Sequence, residues 1–179
     1  DGTTWDNRTS GTSNSLQDVA YANSTFVTTG GNGTILTSTD GTTWTSRTSG
    51  TVGMLDGITY GNGTFVVVGG SGTTLTSSDG TTWTAQISGT PSNLMGVTYA
   101  NGTFVVVGAS GNVLTSSDGT TWTAQISGTT SDLYGVTYGN DTIVAVGNVG
   151  YSGTTILSSP GASGIVVNNA AGLLKLNGT

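Results

Sequence analysis

The chain has 179 residues, 34% of them apolar, with 31 glycines and a formal net charge of -6 set by nine aspartates against only Arg8, Arg47 and Lys175. So few cations cannot neutralise a phosphate backbone, which excludes nucleic-acid binding and adsorption to an anionic membrane surface. The absence of cysteine, histidine and glutamate excludes disulfides and thiolate metal sites and leaves isolated aspartates for acid–base chemistry; no run is long and apolar enough to insert in a bilayer.

The chain opens on Asp1-Gly2-Thr3-Thr4-Trp5, a string that recurs downstream as the tail of a repeat, so the N-terminus reads as processed or cut from a longer product. Trp5, Trp44, Trp83 and Trp122 lie 39 residues apart, as do Tyr21, Tyr60, Tyr99 and Tyr138, and Leu16, Leu55, Leu94 and Leu133. Phe26, Phe65 and Phe104 keep the same period, with Ile143 in the fourth copy. Independent columns in one register define repeat units at about 10–48, 49–87, 88–126 and 127–159, with 1–9 a partial unit.

The second unit shows the elements in order. Residues 57–61 read as a short strand, and Asn62-Gly63 follows, a pair suited to a tight hairpin because both residues accept positive φ. Residues 64–69 (Thr-Phe-Val-Val-Val-Gly) are nearly continuous in apolar residues and predict a strand buried on both faces. After a turn at Gly70-Ser71-Gly72, residues 73–78 alternate apolar and polar; Asp79-Gly80 turns again, and residues 82–88 complete a fourth strand. Nothing in the unit reads as a helix. Four antiparallel strands in about 40 residues make one blade of a β-propeller, which must stack on its neighbours to bury a core. The fold expected is therefore an all-β propeller of about four blades, or a segment of a larger one.

The fourth unit deviates. Residues 148–153 hold a short insertion, and Ser158-Ser159-Pro160-Gly161 stands where the next Asp-Gly turn should be. Two closures are open at this point. Residues 2–9 supply the missing strand and clasp a four-bladed ring, or Gly164-Ile165-Val166-Val167 is that strand and Leu173-Leu174-Lys175-Leu176 begins something further. Residues 160–179 are thus a C-terminal β extension, or closing or exchanged strands. With almost no lysine to guard an open sheet edge, edges must pair within a ring or between subunits.

Ser38-Thr39-Asp40-Gly41-Thr42-Thr43-Trp44 and its copies ending at Trp83 and Trp122 resemble the Asp-box, Ser/Thr-x-Asp-x-Gly-x-Thr-Trp, one residue shorter because Asp and Gly are adjacent. That motif joins the third and fourth strands of blades in sialidase-type propellers and in the photosystem II stability and assembly factor family, and the resemblance covers residues 1–159. It implies structural roles for Asp40, Asp79 and Asp118 in their own turns, and for Trp44, Trp83 and Trp122 as covers between sheets. Each turn offers a single carboxylate, too few oxygens for calcium, and no metal or other cofactor is expected. Sialidase chemistry requires an arginine cluster; Arg8 and Arg47 occupy equivalent positions one unit apart and no third arginine exists. The chain is expected to be no enzyme.

Asn7, Asn23, Asn32, Asn62, Asn101, Asn140 and Asn177 each begin an Asn-x-Thr triplet, the N-glycosylation acceptor pattern, although Asn-Gly also serves simply as hairpin chemistry. Tyr21, Tyr60, Tyr99 and Tyr138 offer faces for glycan stacking, or anchor strand ends. The function expected is a non-catalytic structural or adhesive module that self-associates in an extracellular or cell-surface fibre, an appendage or a virion. The alternative is a soluble lectin-like or assembly-factor-like propeller holding a glycan or a protein.

Overall fold

Turn residues set the corners of each repeat. Asn62 and Gly63 take φ of 47° and 76°, and this pairs Gly61 with Thr64 across a two-residue hairpin. The computed structural model describes residues 2–148, 154–160 and 166–169, and these form four sheets, each of four strands in sequence order. The first comprises β1 (Leu16–Ala22), β2 (Thr25–Gly30), β3 (Ile35–Ser38) and β4 (Thr45–Arg47); the second β5 (Leu55–Gly61), β6 (Thr64–Gly69), β7 (Thr73–Ser77) and β8 (Thr84–Ile87). The third comprises β9 (Leu94–Ala100), β10 (Thr103–Gly108), β11 (Val113–Ser116) and β12 (Thr123–Gln125); the fourth β13 (Asp132–Gly139), β14 (Thr142–Asn148), β15 (Thr154–Pro160) and β16 (Val166–Asn169). All neighbouring strands are antiparallel, and single 3-10 turns join the second and third strands of the first three sheets.

The sheets stack as propeller blades. First strands pack side by side in the order β1, β5, β9, β13, so they converge while the fourth strands splay outward. Each stacking builds one apolar cluster. Val27 and Ile35 meet Leu55, Ile58, Phe65, Val67 and Leu75. Val66 and Val68 meet Leu94, Phe104, Val106 and Leu114. Val105, Val107 and Val113 meet Leu133, Ala145 and Leu157. The second strand of a blade thus buries both faces, as Phe65 to Val68 do with no exposed surface. That explains its unbroken apolar run.

The structure decides between the two closures that the sequence leaves open for the last blade. Residues 2–9 form no strand. A fourth strand exists only by pairing with a third, and β15 is already paired, with β14 on one side and β16 on the other. The N-terminal clasp is therefore not formed, and the fourth strand of the last blade comes from the C-terminal extension. Gly2 and Trp5 nevertheless keep the local turn of their repeat equivalents. Gly2 has φ 76° beside 72° at Gly80, and Trp5 Nε1 donates to Gly2 O at 3.1 Å, as Trp83 Nε1 does to Gly80 O.

Thr29 is one place where the first blade is worse than its copies. Its hydroxyl is buried without a hydrogen-bond partner, and it stands where the second and third blades carry Val68 and Val107. Thr29→Val removes an unsatisfied polar atom at nearly unchanged shape, so it is expected to raise stability by about 1 kcal/mol in chemical denaturation.

Candidate binding face

Antiparallel meanders put two kinds of turn at opposite ends of the molecule. The hairpins between first and second strands share one end with the Asp-box turns between third and fourth strands. The 3-10 turns and the connectors between blades share the other.

The Asp-box end repeats itself. Asp79 Oδ1 accepts hydrogen bonds from Thr82 N at 2.8 Å, Thr81 N at 2.7 Å and Ser77 Oγ at 2.9 Å, while Ser77 Oγ accepts from Gly80 N at 2.8 Å. Asp40 and Asp118 do the same with Thr43 and Thr42, and with Thr121 and Thr120. These N–H donors hold all three carboxyls well below the usual aspartate range, although the side chains are exposed. Because the folded state binds these protons less readily, their stabilisation is complete above the ordinary pKa of 3.8 and is lost as pH falls further. Asp79→Ala is expected to lower the thermal midpoint at pH 7, and the gap from the parent should close as pH drops below that value. Gly80 and Gly119 seat their turns on the preceding blade, where a Cβ would lie 3.0 Å from Val27 Cγ2 and 2.8 Å from Val66 Cγ2 respectively.

The tryptophans and tyrosines also serve stacking. Trp83 packs on the cluster between the first two blades and Trp122 on the next, while Trp44 lies half-buried on the first sheet. Tyr60 and Tyr99 tilt against Phe65 and Phe104, with ring centroids 4.7 Å apart in each pair. Tyr99 also lies on the backbone of Gly61, where no Cβ would fit. Tyr60 donates to Asn23 Oδ1 of the preceding blade at 3.2 Å, and Tyr138 reaches Asn101 Oδ1 at 2.7 Å. Among the four tyrosines, only Tyr21 on β1 has an exposed ring. Asn7, Asn23, Asn32, Asn62, Asn101 and Asn140 are all exposed, and Asn177 lies outside the described residues.

The connector end differs from blade to blade. Equivalent positions read Ser13, Val52, Pro91 and Thr130; Ser15, Met54, Asn93 and Asp132; and, on the converging first strands, Gln17, Asp56, Met95 and Tyr134. The main chain beneath them is regular: Gly31, Gly70 and Ala109 donate to the carbonyls of Ser15, Met54 and Asn93 at 2.8–2.9 Å. Two side chains also join the frame, Asn93 Oδ1 accepting from Ser71 N at 2.9 Å and Asp132 Oδ1 from Ser110 N at 2.8 Å. A uniform backbone therefore presents a non-uniform set of side chains. Val52, Met54 and Tyr134 stand exposed, and partial burial pushes the Asp56 carboxyl up. Identity columns direct attention away from this face; its signal is the positions that break an otherwise near-perfect repeat.

The arginines do not converge. Arg47 Nε donates to Thr37 Oγ1 at 2.9 Å, the bond that Gln86 makes to Thr76 and Gln125 to Thr115 in the next blades. Arg8 pairs with Asp6 at 3.1 Å in solvent. Among the described residues no three of histidine, cysteine, aspartate and glutamate gather as a metal-binding group. A cleft of about 260 Å³ lies between the third and fourth blades, lined by Val105, Val107, Val136, Ile143 and Leu157. Ile143 stands there in place of the repeat's phenylalanine.

No protein-family model matches the sequence, and no curated protein matches it significantly. Among solved structures, one of YCF48 bound to a D1 peptide superposes with a TM-score of 0.69 at 18% identity, over 90% of this chain and 55% of that one. A proposed glycoside hydrolase from Parabacteroides distasonis superposes with a TM-score of 0.50 at 11% identity, over 82% of this chain and 68% of that one. The shared property is the fold, a β-propeller of four-stranded blades. The chain spans little more than half the length of the YCF48 chain.

Proposed function

We propose that this chain is a non-catalytic binding propeller that holds an extended segment of a protein partner on its connector end. The observation that carries this reading is the placement of sequence variation. The first three units keep the Asp-box turn nearly constant, whereas the connector positions differ from blade to blade, and there Met54, Asp56, Met95 and Tyr134 bring thioether, carboxylate and phenol groups to one arc. A surface selected only for shape has no need of that difference. Exposed apolar groups beside Asp56 and Asp132, on a chain of net charge -6, favour an apolar segment flanked by a basic residue. The YCF48 structure contains a bound D1 peptide, so this fold accommodates such a ligand. Arg47 in a role that glutamine fills elsewhere supports the non-catalytic part of the reading.

The test is selection from a displayed peptide library against the immobilised chain. Selected peptides should bind at least about tenfold more weakly to Met54→Ser and Tyr134→Ala, as loss of an interface anchor predicts. Thr42→Ala, at the Asp-box end, should leave binding unchanged. Peptides indifferent to both connector-end variants would sink the proposal.

A second reading, a structural or adhesive module of an extracellular fibre, appendage or virion, draws on the six exposed Asn-x-Thr asparagines. Expression through a eukaryotic secretory pathway checks it. Occupied sites, seen as a mass lost on N-glycosidase treatment, and adhesion to glycans or cells support this reading; their absence leaves the peptide-binding function alone.

A further inference from the structure

The two ends of the blade stack expose the two halves of one interface. On the first sheet, Leu16, Val19 and Tyr21 are 41%, 56% and 60% exposed. Their equivalents facing the preceding blade are better covered: Leu55, Leu94 and Leu133 have no exposed surface, Ile58 has 5%, and Tyr60, Tyr99 and Tyr138 are half-buried. On the last sheet, Val146 and Ile156 are 46% and 51% exposed, and they pair with each other across β14 and β15. The same pair in the third blade, Val107 and Val113, is 1% and 5% exposed because it packs on the fourth. Among the described residues, no apolar cluster joins the fourth sheet to the first.

These faces are complementary by construction. Ile35 of the first blade packs into the cluster of Leu55 and Ile58, and Ile156 occupies the Ile35 position of the last blade, opposite Val146 as Ile35 is opposite Thr29. Leu16, Val19 and Tyr21 are the repeat equivalents of the surface that receives Ile35. An open groove of about 930 Å³ on the first sheet, lined in part by Leu36 and Trp44, continues that receiving face.

We propose that a second copy of this chain docks head to tail, its last blade packing on the first blade of its neighbour in the register that joins consecutive blades within one chain. The contact is heterologous, so it closes into a ring where the rotation permits and otherwise propagates. Its chemistry is the hydrophobic stacking of the three internal interfaces. This inference is independent of the peptide-binding reading, since the faces lie at the ends of the stack rather than on the connectors.

Analytical ultracentrifugation of the 179-residue chain tests it with two variants, Val19→Asp and Val146→Asp. Each puts a carboxylate on one face only, at an exposed position where circular dichroism should confirm an unchanged fold. The parent should associate; each variant alone should associate at least about tenfold more weakly. Mixing the variants leaves one intact pair of faces, the first blade of Val146→Asp against the last blade of Val19→Asp. A 1:1 heterodimer and nothing larger is then expected. A monomeric parent, association insensitive to either substitution, or variants that fail to complement each other would overturn the proposal.

Discussion

Gly72→Ala is expected to destabilise the protein by about 3 kcal/mol, combining left-handed backbone strain with a clash against fixed main chain. Gly72 has φ +70°, and a Cβ there would fall within the carbonyl oxygen of Thr90 and 2.9 Å from Ser88 Oγ. Neither neighbour is the free end of a flexible side chain: Ser88 is buried and accepts the N–H of Thr90. These atoms belong to the connector from the second blade to the third, so relief means moving the blades apart. Gly63 is the control. It has φ +76° and nothing within 4 Å of an added Cβ, so Gly63→Ala should cost only the backbone term, about 1 kcal/mol. Urea unfolding of both variants beside the parent checks the difference. Equal losses would mean that the approach to Thr90 is not what constrains this turn.

That close approach was invisible in the sequence, although the repeat around it was not. The 39-residue columns show what each blade shares with the next, and the sheets follow them: the Asn62-Gly63 hairpin and the doubly buried run at residues 65–68 stand where hydrophobic pattern and turn chemistry place them. The first strand is longer than residues 57–61 because a bulge between Leu55 and Gly57 carries pairing past an irregular step that strict alternation does not register. Closure stays open in the sequence between an N-terminal and a C-terminal strand, and the structure takes the C-terminal one. Residues 2–9 repeat the start of a fourth strand faithfully, but a strand needs a partner, and local sequence does not reveal that β16 already occupies the edge of β15. The connector face was missed for the opposite reason. Gln17, Asp56, Met95 and Tyr134 keep the 39-residue spacing but share no common residue type, and the structure shows that their strands adjoin.

The second large effect comes from one residue of the repeat in two settings. Phe104 has no exposed surface; it sits between the second and third blades against Val66, Val68 and Leu94, with Tyr99 tilted onto it at 4.7 Å. Phe104→Ala should cost about 4 kcal/mol, the transfer of the ring plus the cavity that packed neighbours on both sides cannot fill. Phe26 is its equivalent on the open face of the first blade, in contact with Tyr21 at 4.5 Å but only half-buried. Phe26→Ala in dilute solution should cost about 1–2 kcal/mol, because much of the ring already meets water. If copies dock head to tail, the Phe26 site closes as protein concentration rises, and its cost should climb toward that of Phe104 while the Phe104 value stays constant. Denaturation midpoints measured across a concentration series separate the two settings. A Phe26 cost that equals the Phe104 cost in dilute monomer would show that the first blade's face is already covered within one chain.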